Sequence, residues 1–261
     1  MDDYVKSTAL FYRHCSRLLA LLSELRQAVP MAGTPRERAR EQTLQDITRI
    51  GREHLAAVGA AALSLRAVAR DLGVVSSAVY RYVASRDELL TLLVVDAYTE
   101  LGAEVDAAVD AVAAEDYRGQ FLALGRAVRA WAIREPARYG LLFGSPVPGY
   151  NAPGEQTTGP GTRVVTRLIA IVDSAHRAGA LTSFPDAAVG EPLKADLERV
   201  RAEMGVELRP EAITRGTLVW VSLFGSVNFE VFGQYGSDTF TEPAELFERH
   251  LALLAGMAGL E

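Results

Sequence analysis

Cysteine is nearly absent from this chain of 261 residues, which has Cys15 and no other. A single cysteine cannot close an internal disulfide or form a CxxC metal site, so the sequence excludes a disulfide-stabilised extracellular scaffold. Residues 1–4 are acidic in character, and no basic segment with an apolar core and a cleavage site follows them. We therefore expect a cytoplasmic protein without a secretion signal.

Long apolar runs are also missing. The longest charge-free stretch of helix-like sequence, residues 216–229, has fourteen residues and contains Ser222, Ser226 and Asn228. A membrane-spanning helix needs roughly 18 or more predominantly apolar residues. We expect no transmembrane helix and no membrane partner.

Catalytic motifs are missing as well. The sequence has no HExxH, no glycine-rich phosphate loop followed by Lys and Ser or Thr, no GxSxG and no cluster of Cys and His. Its carboxylates lie with arginines at i,i+4 spacing, which is typical of solvated helix surfaces. We therefore expect no catalytic residue, no metal site, no cofactor and no enzymatic activity.

Helical periodicity is what the chain does have. Hydrophobic residues make up 49% and charged residues 23% of it, as in an average globular protein, and no run of alternating apolar and polar residues competes with the helical spacing. We predict an all-α protein, with a loop and candidate lid at residues 144–161, which hold four prolines and five glycines. The predicted helices are 4–29, 36–58, 64–72, 77–83, 86–112, 117–134, 136–143, 162–178, 192–204, 210–234 and 243–257.

Charge divides the chain unevenly. Residues 1–35 carry a net charge of +1, residues 36–90 carry +2 and residues 91–261 carry −9. A positive block in an acidic chain is typical of a small nucleic-acid-binding domain on a larger body. We predict an N-terminal helical extension (1–34), a helix-turn-helix domain (35–84) and a body (85–261). The extension is either an accessory segment or a misassigned start, in which case the chain would begin at Met31.

Two short helices joined by a glycine turn lie in the positive segment. Ser64 is a suitable N-cap for the first helix, and Gly73 can adopt the left-handed conformation that ends it. Ser76 is predicted to cap the second helix, and Ser85 with Glu88 forms a capping box for the long helix that follows. This arrangement is the helix-turn-helix unit, whose second helix can enter the major groove of B-DNA.

Residues 63–90 combine an apolar framework (Leu65, Val68, Ala69, Leu72), the turn 73–74, the segment 80–82 and the capped start 85–90. In this combination they closely resemble the DNA-binding signature of the tetracycline-repressor (TetR) family. Tyr82 stands where a histidine is common, Val83 where a phenylalanine is common, and Arg86 replaces a lysine, but each can still pack or hydrogen-bond. The resemblance implies a three-helix head joined by a long helix to a helical body that dimerises and often binds a small molecule.

Small residues open the predicted recognition helix. Ser76, Ser77 and Ala78 let its backbone enter a groove about 12 Å wide, so that Arg81 reaches base edges or phosphates. Other candidates carry donors suited to phosphate oxygens, which set register without reading sequence. The full set of DNA-binding candidates is Arg36, Thr43, Ser64, Ser76, Ser77, Ala78, Tyr80, Arg81, Tyr82 and Arg86.

Some of these candidates have a structural alternative. Tyr80 and Tyr82 can pack the three-helix head, and Arg86 can lie at a solvated helix start. Arg36 and the arginines after it can act as an arm on the minor groove or the backbone. Because glutamates are interleaved with them, they can equally form a solvated helix face.

The body contains a second resemblance. Residues 217–225 and 229–233 resemble the C-terminal domain subclass named for Trp, His and Gly (WHG), with Phe224 in place of the histidine. Helical spacing gives the predicted helix 210–234 two apolar stripes, so it needs partners on two sides. We expect a homodimer in which one stripe packs on its own domain and the other meets helices 210–234 and 243–257 of a second subunit. A fully internal helix of a monomer is the alternative.

Aromatic residues of the body are candidates for a small-molecule pocket, because such pockets are mostly apolar with a few polar groups. Each can also be plain core. The ligand-binding candidates are Trp131, Tyr139, Phe143, Tyr150 and Trp220, with His176 and Asn228 as polar anchors.

We therefore expect a ligand-responsive transcription regulator, a repressor that a small-molecule effector releases from a near-palindromic double-stranded DNA operator. A ligand beside Trp131, Tyr139 or Phe143 would tilt the long helix 86–112, which both functions share. The alternative is a helical small-molecule-binding protein or enzyme with a vestigial DNA-binding head. It would show turnover or tight ligand binding without operator affinity.

Overall fold

The computed structural model describes residues 34–182 and 189–261. Over these residues the chain forms ten α-helices and no strand, which confirms the predicted all-α fold. The predicted helix 4–29, together with Cys15 and Met31, lies outside the described residues. The helices are α1 (Pro35–Val58), α2 (Leu65–Asp71), α3 (Ser76–Tyr80), α4 (Arg86–Asp110), α5 (Tyr117–Arg134), α6 (Pro136–Phe143), α7 (Gly154–Arg177), α8 (Glu191–Met204), α9 (Pro210–Val231) and α10 (Pro243–Ala258), with a 3-10 turn at Ala60–Ala62.

Most helix ends agree with the predicted ones within about three residues, but α7 begins eight residues earlier than predicted. Residues 154–161 belong to this helix and not to the predicted loop, and Pro160 lies inside it. Helical packing outweighs the low helix propensity of this segment. Thr158 is buried, and the absence of a side chain on Gly161 lets the helix approach the ring of Tyr98, 3.3 Å from where a Cβ would stand. The candidate lid is therefore shorter than predicted.

The described residues form two compact units. The first, which we call the head unit, consists of residues 34–100 and 135–161. Its core is built from the inward faces of α1, α2 and α3 and the start of α4, with Leu141, Val147 and Tyr150 packed against it. The buried core residues include Ile47, Leu55, Leu65, Val68, Val79, Val83, Leu89 and Leu93.

The second unit, which we call the body unit, consists of residues 101–134 and 162–261, apart from the undescribed 183–188. α5, α9 and α10 pack together in it. Phe121 and Val128 of α5 and Leu223 of α9 are fully buried or nearly so. A Cβ on Gly125 would overlap the side chain of Leu251, so the glycine sets how closely α5 and α10 approach. The predicted boundaries at residues 34 and 84 stay predictions.

Candidate nucleic-acid interface and body cavity

The first turn of α1 is closed by a capping box that the sequence analysis missed. The Thr34 hydroxyl accepts a hydrogen bond from the Glu37 amide at 3.3 Å, and Glu37 Oε2 accepts one from the Thr34 amide at 2.6 Å. The hydrogen bond from the Thr34 amide favours the charged carboxylate and lowers the pKa of Glu37. The signal was available, because Thr-x-x-Glu before a helix is the capping-box pattern. The box fixes the start of the helix on which the exposed Arg36 lies.

The turn between α2 and α3 follows the predicted chemistry. Gly73 has φ +74°, the left-handed conformation that glycine adopts without strain. The amides of Gly73 and Val74 donate to the carbonyls of Arg70 and Ala69, both at 3.0 Å. Ser64 occupies the N-cap position of α2, although its side chain makes no capping hydrogen bond.

The recognition helix α3 begins one residue earlier than predicted and is shorter. Val75, with extended backbone, is its N-cap residue, so Ser76 lies in the first turn and the prediction that Ser76 caps the helix is wrong. α3 ends at Tyr80, after which the Tyr82 and Val83 amides both donate to the Val79 carbonyl. These two bonds tighten the chain into a turn and end the regular helix.

α3 has one buried and one exposed face. Val79 is 1% exposed and holds the helix against the head core. Ser77, Tyr80 and Arg81 are exposed, and their i, i+3 and i+4 spacing places them on one side. Arg81 makes no ion pair with any described residue, so its guanidinium is available to an external partner.

Next to this face lies a residue that the sequence analysis missed. Val75 is 71% exposed, although it stands between the two helices of a packed unit. An exposed apolar side chain at the start of a recognition helix is suited to contact a thymine methyl group in the major groove. The sequence did not single out Val75, because it shows this residue in an ordinary apolar run and does not reveal its exposure to solvent.

Other DNA-binding candidates are engaged within the chain. Arg86 donates from Nη2 to the carbonyl oxygens of Ala60 at 2.9 Å and Ala61 at 3.2 Å, which ties the start of α4 to the 3-10 turn. Tyr82 packs against the head core, with the Arg40 guanidinium 5.4 Å from its ring centroid. Phosphate contacts by these residues stay predictions, as do those of Thr43, Ser64, Ser76 and Ala78, which are all half-buried.

A cluster of charges stabilises the head unit away from α3. Arg138 of α6 is 2% exposed and donates to Asp96 at 2.9 Å and to Glu100 at 2.8 Å. Asp96 also accepts a hydrogen bond from Arg52 Nε at 2.6 Å, and this contact raises the pKa of Arg52. The cluster links α1, α4 and α6 and so holds the first helix of the head in place.

The body unit contains a cavity of about 100 Å³ between α7, α8 and α9. Of the ligand-binding candidates, Trp220 lines it and the others do not. Tyr139 is fully buried, and its ring centroid lies 5.0 Å from that of Phe143, in the head unit. Burial raises the pKa of Tyr139. The candidates outside the cavity are Trp131, Tyr139, Phe143, Tyr150, His176 and Asn228.

One face of α9 is covered within the chain and another is not. Val219, Leu223 and Val227 are buried, whereas Leu218 and Phe229 are 50% and 48% exposed. Within the part of the chain that the structure describes, one apolar face of this helix is therefore covered and another is exposed. Val221 and Phe232 on the same segment, and Leu253 on α10, are exposed as well.

Two further properties hold over residues 34–182 and 189–261. None of the helices described there is long and apolar enough to cross a membrane. No group of His, Cys, Asp or Glu side chains in those residues could hold a metal ion.

A helix-turn-helix unit with an exposed recognition helix, ahead of a helical body, defines a transcriptional regulator of the helix-turn-helix class. Comparison with known proteins gives the family. Residues 121–254 match the family described as tetracyclin repressor-like, C-terminal domain. The chain belongs to the TetR family of transcriptional regulators. The match does not confirm the WHG subclass.

Individual relatives agree with this assignment. The chain is 46% identical over 222 residues to the HTH-type transcriptional regulator Mb1846 of Mycobacterium bovis, covering 85% of this chain and 94% of that one. It is similar to the crystal structure of SCO4313, with 36% identity, a TM-score of 0.67 and coverage of 85% and 100%. The TetR-family regulator PfmR of Thermus thermophilus shares the fold, with 17% identity, a TM-score of 0.51 and coverage of 82% and 98%.

Proposed function

We propose that this protein is a homodimeric repressor that acts in the cytoplasm and leaves its DNA operator when a small molecule binds its body unit. The observation that carries the proposal is the exposed face of α3, with Ser77, Tyr80 and Arg81 on the side opposite the buried Val79. Its small first turn admits the helix to the major groove, and Arg81 can donate two hydrogen bonds to a guanine.

The dimer is proposed from the uncovered face of α9. Among the described residues, Leu218, Val221 and Phe229 are about half exposed on a helix whose other face is core. The same patch on a second copy would cover it in an isologous contact. A twofold dimer presents two copies of α3, so the proposed operator is a near-palindrome with half-sites about 34 Å apart.

Release of the operator by a ligand needs a structural element that takes part in both DNA binding and ligand binding. α4 begins beside the helix-turn-helix unit and contributes its first residues to the head unit and its last residues to the body unit. A ligand that shifts α4 would change the spacing of the two recognition helices, with a coupling of about 1–3 kcal/mol.

Selection of bound fragments from the source genome tests the DNA-binding part. We expect a near-palindromic sequence to be enriched, and its affinity to fall steeply with salt because several cations contact phosphates. Random recovery of fragments at moderate salt, or an affinity independent of salt, would contradict the proposal.

The body cavity favours a second candidate function, a ligand-binding protein whose head no longer binds DNA. Both functions include ligand binding, so operator affinity separates them. Tight binding of a small molecule without any selected operator would support this second function.

A further inference from the structure

The cavity of the body unit has an almost wholly apolar lining. Leu168 and Val172 of α7, Val200 of α8 and Ile213 of α9 contribute hydrocarbon side chains to it. Its volume is about 100 Å³. One water needs about 10–15 Å³ by this measure, so the space accepts a molecule of roughly seven to ten non-hydrogen atoms.

Among the described residues that line this cavity, one has an ionisable side chain, Glu203 near the end of α8. Glu203 is half-buried and makes no hydrogen bond or ion pair with any described residue. The arginines nearest to it in sequence are engaged elsewhere, since Arg201 pairs with Glu198 at 2.9 Å and Arg199 pairs with Asp196. The carboxylate is therefore free to hold a cation from outside the chain.

The remaining polar groups of the lining do not compete for that role. The Thr217 hydroxyl donates to the Ile213 carbonyl at 3.0 Å, and Thr162 is buried with a partner of its own. The ring of Trp220 also lines the cavity, and indole faces attract cations. A carboxylate and an indole in an apolar space favour a cationic ligand over a neutral one and disfavour an anion.

Gly216 leaves room for the ligand. It lies in α9 and lines the cavity, and a Cβ built on it would meet no atom within 4 Å. A Cβ at this position of the lining therefore causes no clash.

We propose that this cavity binds a small apolar amine, with the ammonium at Glu203 and the hydrocarbon part among Leu168, Val172 and Ile213. Such an amine is the effector class of the proposed repressor. This assignment as effector rests on the proposed function, whereas amine binding by the cavity does not.

The test is calorimetric titration of the full chain, without DNA, with three probes of similar size and shape: phenethylamine, phenylethanol and phenylacetate. The amine should bind about tenfold or more tightly than the carboxylate, because a charge-assisted hydrogen bond replaces a repulsion. Glu203→Gln should remove this preference and leave phenylethanol unchanged. Glu191→Gln is the matched control, since Glu191 lies on the same helix, is 87% exposed and does not line the cavity, and it should keep the preference.

The second part of the experiment fills the cavity with larger side chains. Gly216→Leu should weaken all probes about tenfold or more, whereas Gly216→Ala, which has the same effect on the backbone but fills little space, should retain most of the binding. Ala212→Met, also in the lining, serves if Gly216→Leu fails to fold as judged by its helical content. The proposal is overturned if the amine does not bind, if it binds no more tightly than the carboxylate, if its preference survives Glu203→Gln, or if filling the cavity leaves binding intact. None of these results affects operator selection, so failure here is distinct from failure of the proposed function.

Discussion

Arg138 Nη2 donates a hydrogen bond to Asp96 Oδ2 at 2.9 Å, across 42 residues of sequence. Arg138 is nearly inaccessible to solvent, and Asp96 is held from its other side by Arg52. A buried guanidinium is tolerated because it is paired with the carboxylates of Asp96 and Glu100, and with that of Glu135 at 3.5 Å. This pair joins α4 to α6 within the head unit.

Arg138→Ala should lower the free energy of unfolding by about 1–3 kcal/mol, because Asp96 and Glu100 lose their buried donor but keep their contacts with Arg52. Urea denaturation followed by circular dichroism measures the change. Arg126→Ala is the matched control, since the Arg126–Glu248 pair is largely exposed, and it should cost at most about 1 kcal/mol. Equal losses in the two variants would show that burial does not determine the strength of the Arg138 cluster.

Arg81→Ala should weaken operator binding by about 1–3 kcal/mol, because a guanidinium that contacts a base edge is lost. Unfolding should be unaffected, since Arg81 is exposed and makes no ion pair with the described residues. The measurement is a fluorescence anisotropy titration with the selected operator. Arg199→Ala, an exposed arginine of α8, is the control and should bind the operator normally. Unchanged affinity of Arg81→Ala would remove Arg81 from the interface.

Leu218→Glu should convert the dimer to a monomer, because it places a carboxylate in the centre of the exposed apolar face of α9. Sedimentation velocity measures the oligomeric state. Leu193→Glu is matched in exposure, at 51% against 50% for Leu218, but lies on α8, and it should leave the dimer intact. A wild-type chain that sediments as a monomer would contradict the proposed dimer, and a dimeric Leu218→Glu variant would place the interface elsewhere.

The Glu37 capping box predicts a pH dependence. The folded chain lowers the pKa of Glu37 below its usual value of 4.5, so the unfolded chain binds the proton more readily. The contribution of Glu37 to stability is therefore fully present above about pH 4.5 and is lost as the pH falls through the lower, folded-state pKa. Comparing the thermal unfolding of the wild type and Glu37→Gln from neutral to acidic pH should show a difference that shrinks on acidification. A difference that does not change with pH would contradict this origin.

Local features of the fold were predictable from the sequence. The sequence predicted the turn at Gly73, because the left-handed backbone conformation that ends many helices strongly favours glycine. The φ of +74° at Gly73 confirms this prediction. Helices with clear periodicity and a proline at the start, such as α6, were placed correctly. Prediction failed at α7, where glycine and proline indicate a loop by propensity but packing against Tyr98 produces a helix.

The partners of individual side chains were not predictable in the same way. The sequence shows Arg86 at a helix start and suggests a phosphate contact, but the structure directs its guanidinium to carbonyls 25 and 26 residues away. The cavity likewise depends on residues of three helices, of which the sequence analysis selected only Trp220.

By itself, then, the sequence determined the helical class, the helix-turn-helix unit with its glycine turn, and the family resemblance, because these follow from periodicity, capping and turn preferences over short distances. Only the tertiary structure decided that Arg138 pairs with Asp96, that Val75 is exposed, and that Glu203 lines an apolar cavity. These relationships join residues far apart in sequence or depend on solvent access, and packing alone brings such groups together or leaves them uncovered.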